Sequence, residues 1–450
     1  MFGNVYSVGH FHGVTTYNKR FIKSICDKVD LHLLCADSGD EQNPGLPGIR
    51  WGEYNGLPSL FAQRDERYVT RFSVPGETRE FDRFVEELAA HIRERDIALI
   101  HLADWEDSIG IASFAAAGKA GIPWILSPVD YRLICGQVHL FEKGIRPCTG
   151  PDSSFNKCAR CIATSRVAWG NAYTKSRALL REILYALGLR KLLHCYHRPE
   201  SWRKRYEAIK SFLPDCSSIV CMSRFHAHKL QQFTGLDPSK FKTIYYAAEE
   251  PGARYSPDPE RFTPPLRIGW MNSLLREWGF TFLLEAWKRS GVPSEKAQLV
   301  LYLYPGTGRA VKVEGYESLV REKKVVIMEE RVLGQEDKVF SRLSAFIIAS
   351  LWHENGTTYD PFIRKVPFIA PDIGPHREII EHGINGFLYR KADINSLASL
   401  IRSLADDPAI LKKASEGCLF SREYGHHAWG ENYLELYTQI LAPHGKNQNG

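Results

Sequence analysis

The chain has 450 residues, 44% of them hydrophobic and 24% charged, with a formal net charge of +6. Those are the proportions of a globular protein of about two to three domains, with a core large enough to need neither disulfide nor metal. No apolar run approaches the roughly 20 residues of a membrane span, and so mild a charge does not by itself argue for nucleic acid. The opening MFGNVYSVGHFHG has no basic stretch followed by an apolar one. The expectation is therefore a cytoplasmic protein with its ten cysteines reduced.

Strand and helix patterns alternate along the chain, which predicts an α/β fold with parallel sheets. Asn4 to Val8 reads as a strand, Gly9 to Gly13 as a turn and Val14 to Lys28 as a helix. Strands follow at Leu31 to Cys35, Ala98 to His101, Pro123 to Ser127, Ser218 to Met222 and Lys242 to Tyr246. Helices fall between them at Phe81 to Glu94, Ser108 to Gly118 and Arg224 to Thr234. The stretch EEPGARYSPDPERFTPP, residues 249–265, is rich in Pro, Gly and charge and reads as a linker. The alternation then restarts. Strands are expected at Leu266 to Trp270, Gln298 to Tyr304, Val325 to Met328, Phe346 to Ile348 and Val366 to Ala370. Helices are expected at Gly279 to Arg289, Glu336 to Ser344, Ile394 to Ala405 and His427 to Leu441. The pattern gives two Rossmann-like domains, 1–248 and 266–424, with a ligand cleft between them. A last helix within 425–450 crosses back to the first domain.

Two segments of the first domain stand out. Cys135, Cys148, Cys158 and Cys161 form C-x12-C-x9-C-x2-C inside a turn-rich insert, 132–165. Four thiols so spaced in a reducing compartment suit a tetrahedral structural zinc; unligated thiols and disulfides are the alternatives. Between Lys175 and Lys210 ten Lys or Arg face only three Glu, interleaved with leucines three and four apart. That describes a basic amphipathic helix, lying on an anionic membrane surface or packed on its own domain.

Phe346 to Phe387, FIIASLWHENGTTYDPFIRKVPFIAPDIGPHREIIEHGINGF, resembles the donor-binding half of retaining glycosyltransferases of family four, which have the GT-B fold. GVTTYNKRFIKSI (Gly13 to Ile25) resembles that family's glycine turn and first helix, and IVCMSRFHAHKLQQFTGLDPSKFKTIYYA (Ile219 to Ala247) the last strand-helix-strand of its N-terminal domain. The resemblance implies transfer of a sugar from a nucleotide-diphosphate sugar to an acceptor hydroxyl. Glu354 would hold the donor sugar and Asp360 the ribose, and Asn355 with the nearby backbone would assist at the diphosphate. Arg276, or Lys365, would meet the diphosphate, where cationic groups stabilise the leaving charge. Gly13 and Asp130 would line the acceptor side. Acceptors of this family are often lipid-linked or cell-envelope glycans, which fits a protein peripheral to the inner face of the cytoplasmic membrane.

The chain departs from the family pattern at several points. The second glutamate normally stands eight residues after the first, where this chain has Phe362; counting back from Pro367 puts Asp360 there instead. Trp270 and Trp278 occupy the usual cationic positions of RIGWMNSLLREWGF, and Val129 replaces a histidine ahead of Asp130. His10, His12 and His101 are the remaining histidines near strand ends of that domain. These departures keep a second reading open, a non-catalytic GT-B protein that binds a glycan or a partner enzyme.

Overall fold

A computed structural model of the protein describes residues 20–37, 49–54, 57–63, 76, 78–102, 107–143, 146–164, 172–193, 198–272, 274, 276–303, 315–330, 332, 334–352, 359–418 and 426–442. Two compact units result. One comprises Met1–Lys143, Cys148–Tyr245 and His427–Gly450, and the other Tyr246–His426 with Gly144–Pro147.

The second unit is built on six parallel strands. In chain order these are β1 (Leu266–Met271), β2 (Ala297–Tyr302), β3 (Val325–Met328), β4 (Ala345–Ile347), β5 (Phe368–Pro371) and β6 (Gly386–Tyr389). They lie side by side in the order β3-β2-β1-β4-β5-β6, with Ile268 opposite both Leu299 and Ala345. The strands are nearly continuous apolar runs because both faces are covered. On one face Leu266, Ile268, Trp270, Leu299 and Leu301 pack with Leu283 and Trp287 of helix Phe280–Ser290 and with Leu397, Ile401 and Leu404 of helix Ile394–Asp406. On the other, Val300, Phe346 and Phe368 pack with Phe340, Leu343 and Phe362. Asp393 caps helix Ile394–Asp406 by accepting from the Ser396 N–H at 2.9 Å, as a carboxylate at that position does.

The first unit holds a parallel sheet of Ile100–Leu102, Trp124–Leu126, Ser218–Cys221 and Phe241–Thr243, adjacent in that order. Helix Arg79–Glu94 buries Phe81, Val85, Leu88 and Ile92, one face at helical spacing. A separate sheet pairs Leu33–Asp37 in parallel with Leu57–Gln63, which runs antiparallel to Ile49–Tyr54; the pattern reading had no hairpin there. The C-terminal helix His426–Leu441 lays Trp429, Tyr433 and Tyr437 into this unit. Phe21 meets the Trp429 and Tyr433 rings edge-on, and His101 bridges the Tyr437 hydroxyl and the Ser127 Oγ, each at 2.7 Å.

The basic stretch 175–210 is two helices rather than one, Ala172–Ala186 and Pro199–Phe212. Gly188 turns left-handed at φ 72° and ends the first, and Pro199 starts the second, where a missing N–H does no harm. The strand expected at Asn4 to Val8 and the turn at Gly9 to Gly13 lie outside the described residues. No described helix is long and apolar enough to cross a membrane.

Candidate functional site

In the six-stranded sheet the chain winds outward from β1 through β2 to β3, then returns to β4 and winds the other way. A crevice therefore opens beyond the carboxyl ends of β1 and β4, the place where open α/β sheets bind ligands. The loop after β1 enters a single 3-10 turn, Arg276–Trp278, and then Gly279. Gly279 is left-handed at φ 74°, and a Cβ there would stand 1.9 Å from the Ala349 carbonyl oxygen. Only glycine permits so close a backbone approach. The Leu351 N–H donates to the Glu277 carbonyl at 2.8 Å, and the Trp278 and Trp352 rings meet edge-to-face at 5.2 Å. The Tyr389 hydroxyl holds the Ile348 carbonyl from the β6 side at 3.0 Å. Helix Phe280–Ser290 begins here with no side-chain cap, so its first-turn N–H groups and its positive end suit an anion such as a phosphate.

The segment from Glu249 to Pro265 is fastened to this unit by two buried arginines. Arg364, only 2% exposed, donates through Nε to Asp337 Oδ1 at 2.7 Å and through Nη1 to the Glu249 carbonyl at 2.9 Å. Arg261 reaches the Lys365 carbonyl at 2.7 Å and the Ser415 Oγ at 2.8 Å. Asp360 is buried among these groups. Its Oδ1 accepts the Glu249 N–H at 2.8 Å and lies 3.8 Å from Arg364 Nη1. Its carboxylate thus anchors the backbone where the chain enters this unit.

Residues 265–407 match the family model described as Glycosyl transferases group 1. A structure of HepE from Anabaena in complex with UDP and glucose aligns with a TM-score of 0.60 at 14% identity, over 97% of this chain and 98% of that one. Sucrose-phosphate synthase from Thermosynechococcus elongatus aligns with a TM-score of 0.59 at 13% identity, over 98% and 99%. A glycosyltransferase from Rickettsia africae aligns at 0.62 with 13% identity, over 100% and 98%. No curated protein matches the chain. The fold is GT-B.

Within this GT-B chain the expected site residues fall in different places. Arg276 opens the 3-10 turn beside the crevice. Glu354, Asn355 and Gly13 lie outside the described residues. Trp270 is a core residue packed on Phe280 at 5.6 Å. Lys365 stands just before β5 with φ 58°, its carbonyl held by Arg261 and Ser415. Arg261 in turn receives Ser344, which stands just before β4. Lys365 is therefore at the amino edge of the sheet, opposite the crevice, and the diphosphate contact expected of it does not fit that position. The turn DIGPHREII forms one helical turn, Gly374–Arg377, beside the crevice-edge ion pair of Asp372 and Arg377; that hydrogen bond holds the Asp372 carboxyl below its usual range.

In the first unit Asp130 follows strand Trp124–Leu126. Its Oδ1 accepts the Arg132 N–H at 2.7 Å and its Oδ2 the Arg132 Nε at 2.9 Å. Burial raises its pKa against the pull of Arg132. The adjacent Tyr131 ring meets His226 edge-on at 5.0 Å, a buried histidine that burial lowers to about 3. His226 stands in the first turn of helix Arg224–Thr234, which follows a strand of this sheet. His101, one of the candidates considered, is committed to Tyr437 and Ser127 and is likewise lowered by burial to about 3.

The four insert cysteines come near one another, and no disulfide joins them. Among the described residues no group of three or more His, Cys, Asp or Glu is set to hold a metal. The four are free thiols. Burial pushes Cys135 and Cys158 up to about 12 and Cys161 to about 11. The Cys161 Sγ accepts the Lys143 N–H at 3.1 Å and the Cys148 Sγ that of Gly150 at 3.3 Å. The arrangement does not support the zinc reading.

Proposed function

We propose that the protein is a retaining glycosyltransferase that moves a sugar from a nucleotide-diphosphate sugar to an acceptor hydroxyl on a lipid-linked or cell-envelope glycan, at the inner face of the cytoplasmic membrane. The observation that carries the reading is the crevice at the reversal of strand order, walled by Gly279 against Ala349, inside the stretch that matches the group 1 model. Neighbours of the same fold include HepE in complex with UDP and with UDP-glucose. The diphosphate would sit at the uncapped start of helix Phe280–Ser290, with Arg276 as its cation. Asn355 would assist there, Glu354 would hold the sugar, and Asp360 would order the ribose side through its grip on Glu249. Asp130 would line the acceptor side. The bond from the sugar's anomeric carbon to the phosphate oxygen breaks, one to the acceptor oxygen forms on the same face, and the acceptor hydroxyl's proton passes to the departing diphosphate. The site supplies positioning and stabilisation of the departing charge.

A second reading, a GT-B protein that binds a glycan without turnover, is favoured by Trp270 and Trp278 at the positions where cations are usual. Calorimetry with UDP, GDP, ADP and their sugars separates the two. Selective binding of one nucleotide, weakened in Arg276→Ala, with slow nucleotide release from its sugar that Glu354→Ala removes, is the expected result. Folded protein that binds none of them would sink the transferase reading.

A further inference from the structure

Seven large hydrophobic side chains stand well exposed among the described residues, and six of them lie in one stretch: Leu179, Leu180, Ile183, Leu187, Leu189 and Leu192, each between 46% and 71% exposed. Helix Ala172–Ala186 thus has its apolar stripe on the outside. Positions 180, 183 and 187 follow one another at three and four residues, and 179 and 183 at four, so they share a face. The inner face is already satisfied. Leu184 and Tyr185 pack with Ala159, Ile162, Leu193 and Trp202, and Glu182 pairs with Lys143 and Arg160, each at 2.6 Å. Gly188 then turns the chain, and the 3-10 turn Arg190–Leu192 leaves Leu189 and Leu192 outward. A patch so concentrated marks an interaction surface, where scattered leucines would not.

The charge of the segment selects the partner. Ten Lys or Arg stand against three Glu from 175 to 210; Glu182 is already neutralised, while Arg205 is buried and Arg181 and Arg198 donate to backbone carbonyls. Lys191 is exposed inside the patch, and Arg203, Lys204 and Lys210 are exposed on the following helix. A second copy of this chain would set two basic surfaces together, which Coulomb repulsion opposes.

We propose that the Leu179–Leu192 face docks on an anionic lipid bilayer, its leucines entering the boundary between headgroups and acyl chains and its Lys and Arg lying against lipid phosphates. The face holds the protein at the interface without spanning it. This surface stands apart from the donor-site reading, since binding to vesicles needs no nucleotide.

Cosedimentation of the full chain with vesicles tests it, using phosphatidylcholine alone or mixed with phosphatidylglycerol. Wild type should bind the anionic vesicles at least about tenfold more tightly than the neutral ones, and salt should weaken that binding. L180S/I183S/L187S should lower it by about tenfold or more with an unchanged circular dichroism melt, because those side chains already face outward. Lys191→Glu should weaken it while leaving the apolar stripe intact. Equal sedimentation of wild type and the triple variant overturns the proposal. So does failure to bind anionic vesicles, whether or not ultracentrifugation finds a wild-type dimer that the triple variant dissolves.

Discussion

At Gly279 a single hydrogen atom decides whether the crevice can form. An added methyl group would meet the Ala349 carbonyl and would also be held at a positive φ. Gly279→Ala should cost about 2 to 4 kcal/mol, combining left-handed strain with overpacking. Denaturant unfolding followed by tryptophan fluorescence checks this, and an unmoved midpoint would mean the two loops do not meet as described. Arg364 makes a second residue-scale case. It is enclosed, donates to the Asp337 carboxylate and to the Glu249 and Asp360 carbonyls, and lies 3.8 Å from the Asp360 carboxylate, so Arg364→Met leaves buried Asp360 without its cation, at about 3 to 5 kcal/mol. Asp360→Asn keeps an acceptor for the Glu249 N–H and should cost only about 1 to 2 kcal/mol. That milder variant is the one to use in asking whether nucleotide binding depends on Asp360, because Asp360→Ala would confound binding with unfolding.

At the scale of elements, regular periodicity was readable and its interruptions were not. Helix Arg224–Thr234 and strand Val325–Met328 fall where the pattern puts them, because Ser223 and Gly235 punctuate the helix and an unbroken apolar run marks a strand covered on both faces. The basic segment was misread because leucine spacing alone does not reveal that Gly188 and Pro199 divide it. The approach of Gly279 to Ala349 joins loops about seventy residues apart, and Lys365 looked suitable only until the sheet fixed which edge it occupies. The C-terminal helix offers a direct check. Tyr437→Phe removes the hydroxyl bonded to His101 and should destabilise the first unit by about 1 to 2 kcal/mol, read as an earlier denaturation midpoint.

For the whole molecule the contrast lies in how its two halves meet acid. Burial lowers His91 to about 4 and His101 and His226 to about 3, and all three belong to the first unit. Each is neutral when folded, while its unfolded counterpart takes up a proton near pH 6.5. Between those values the unfolded chain binds more protons, so stability rises with pH there. The contribution is complete above about pH 6.5 and is lost as pH falls toward 4 and 3. Asp130 works the other way, since its raised pKa costs stability once the unfolded carboxyl ionises, and it offsets part of the effect. Three histidines outweigh one carboxyl, so the first unit should open first in acid. Limited digestion with pepsin at about pH 4.5, midway in that window, should cut within 79–126 and 218–234 before it cuts within 266–371. Early cuts in β1 to β5 would show that the buried histidines do not govern acid stability. His101→Gln should move the first-unit cuts to lower pH, because the amide can bond to Ser127 and Tyr437 without a proton to gain.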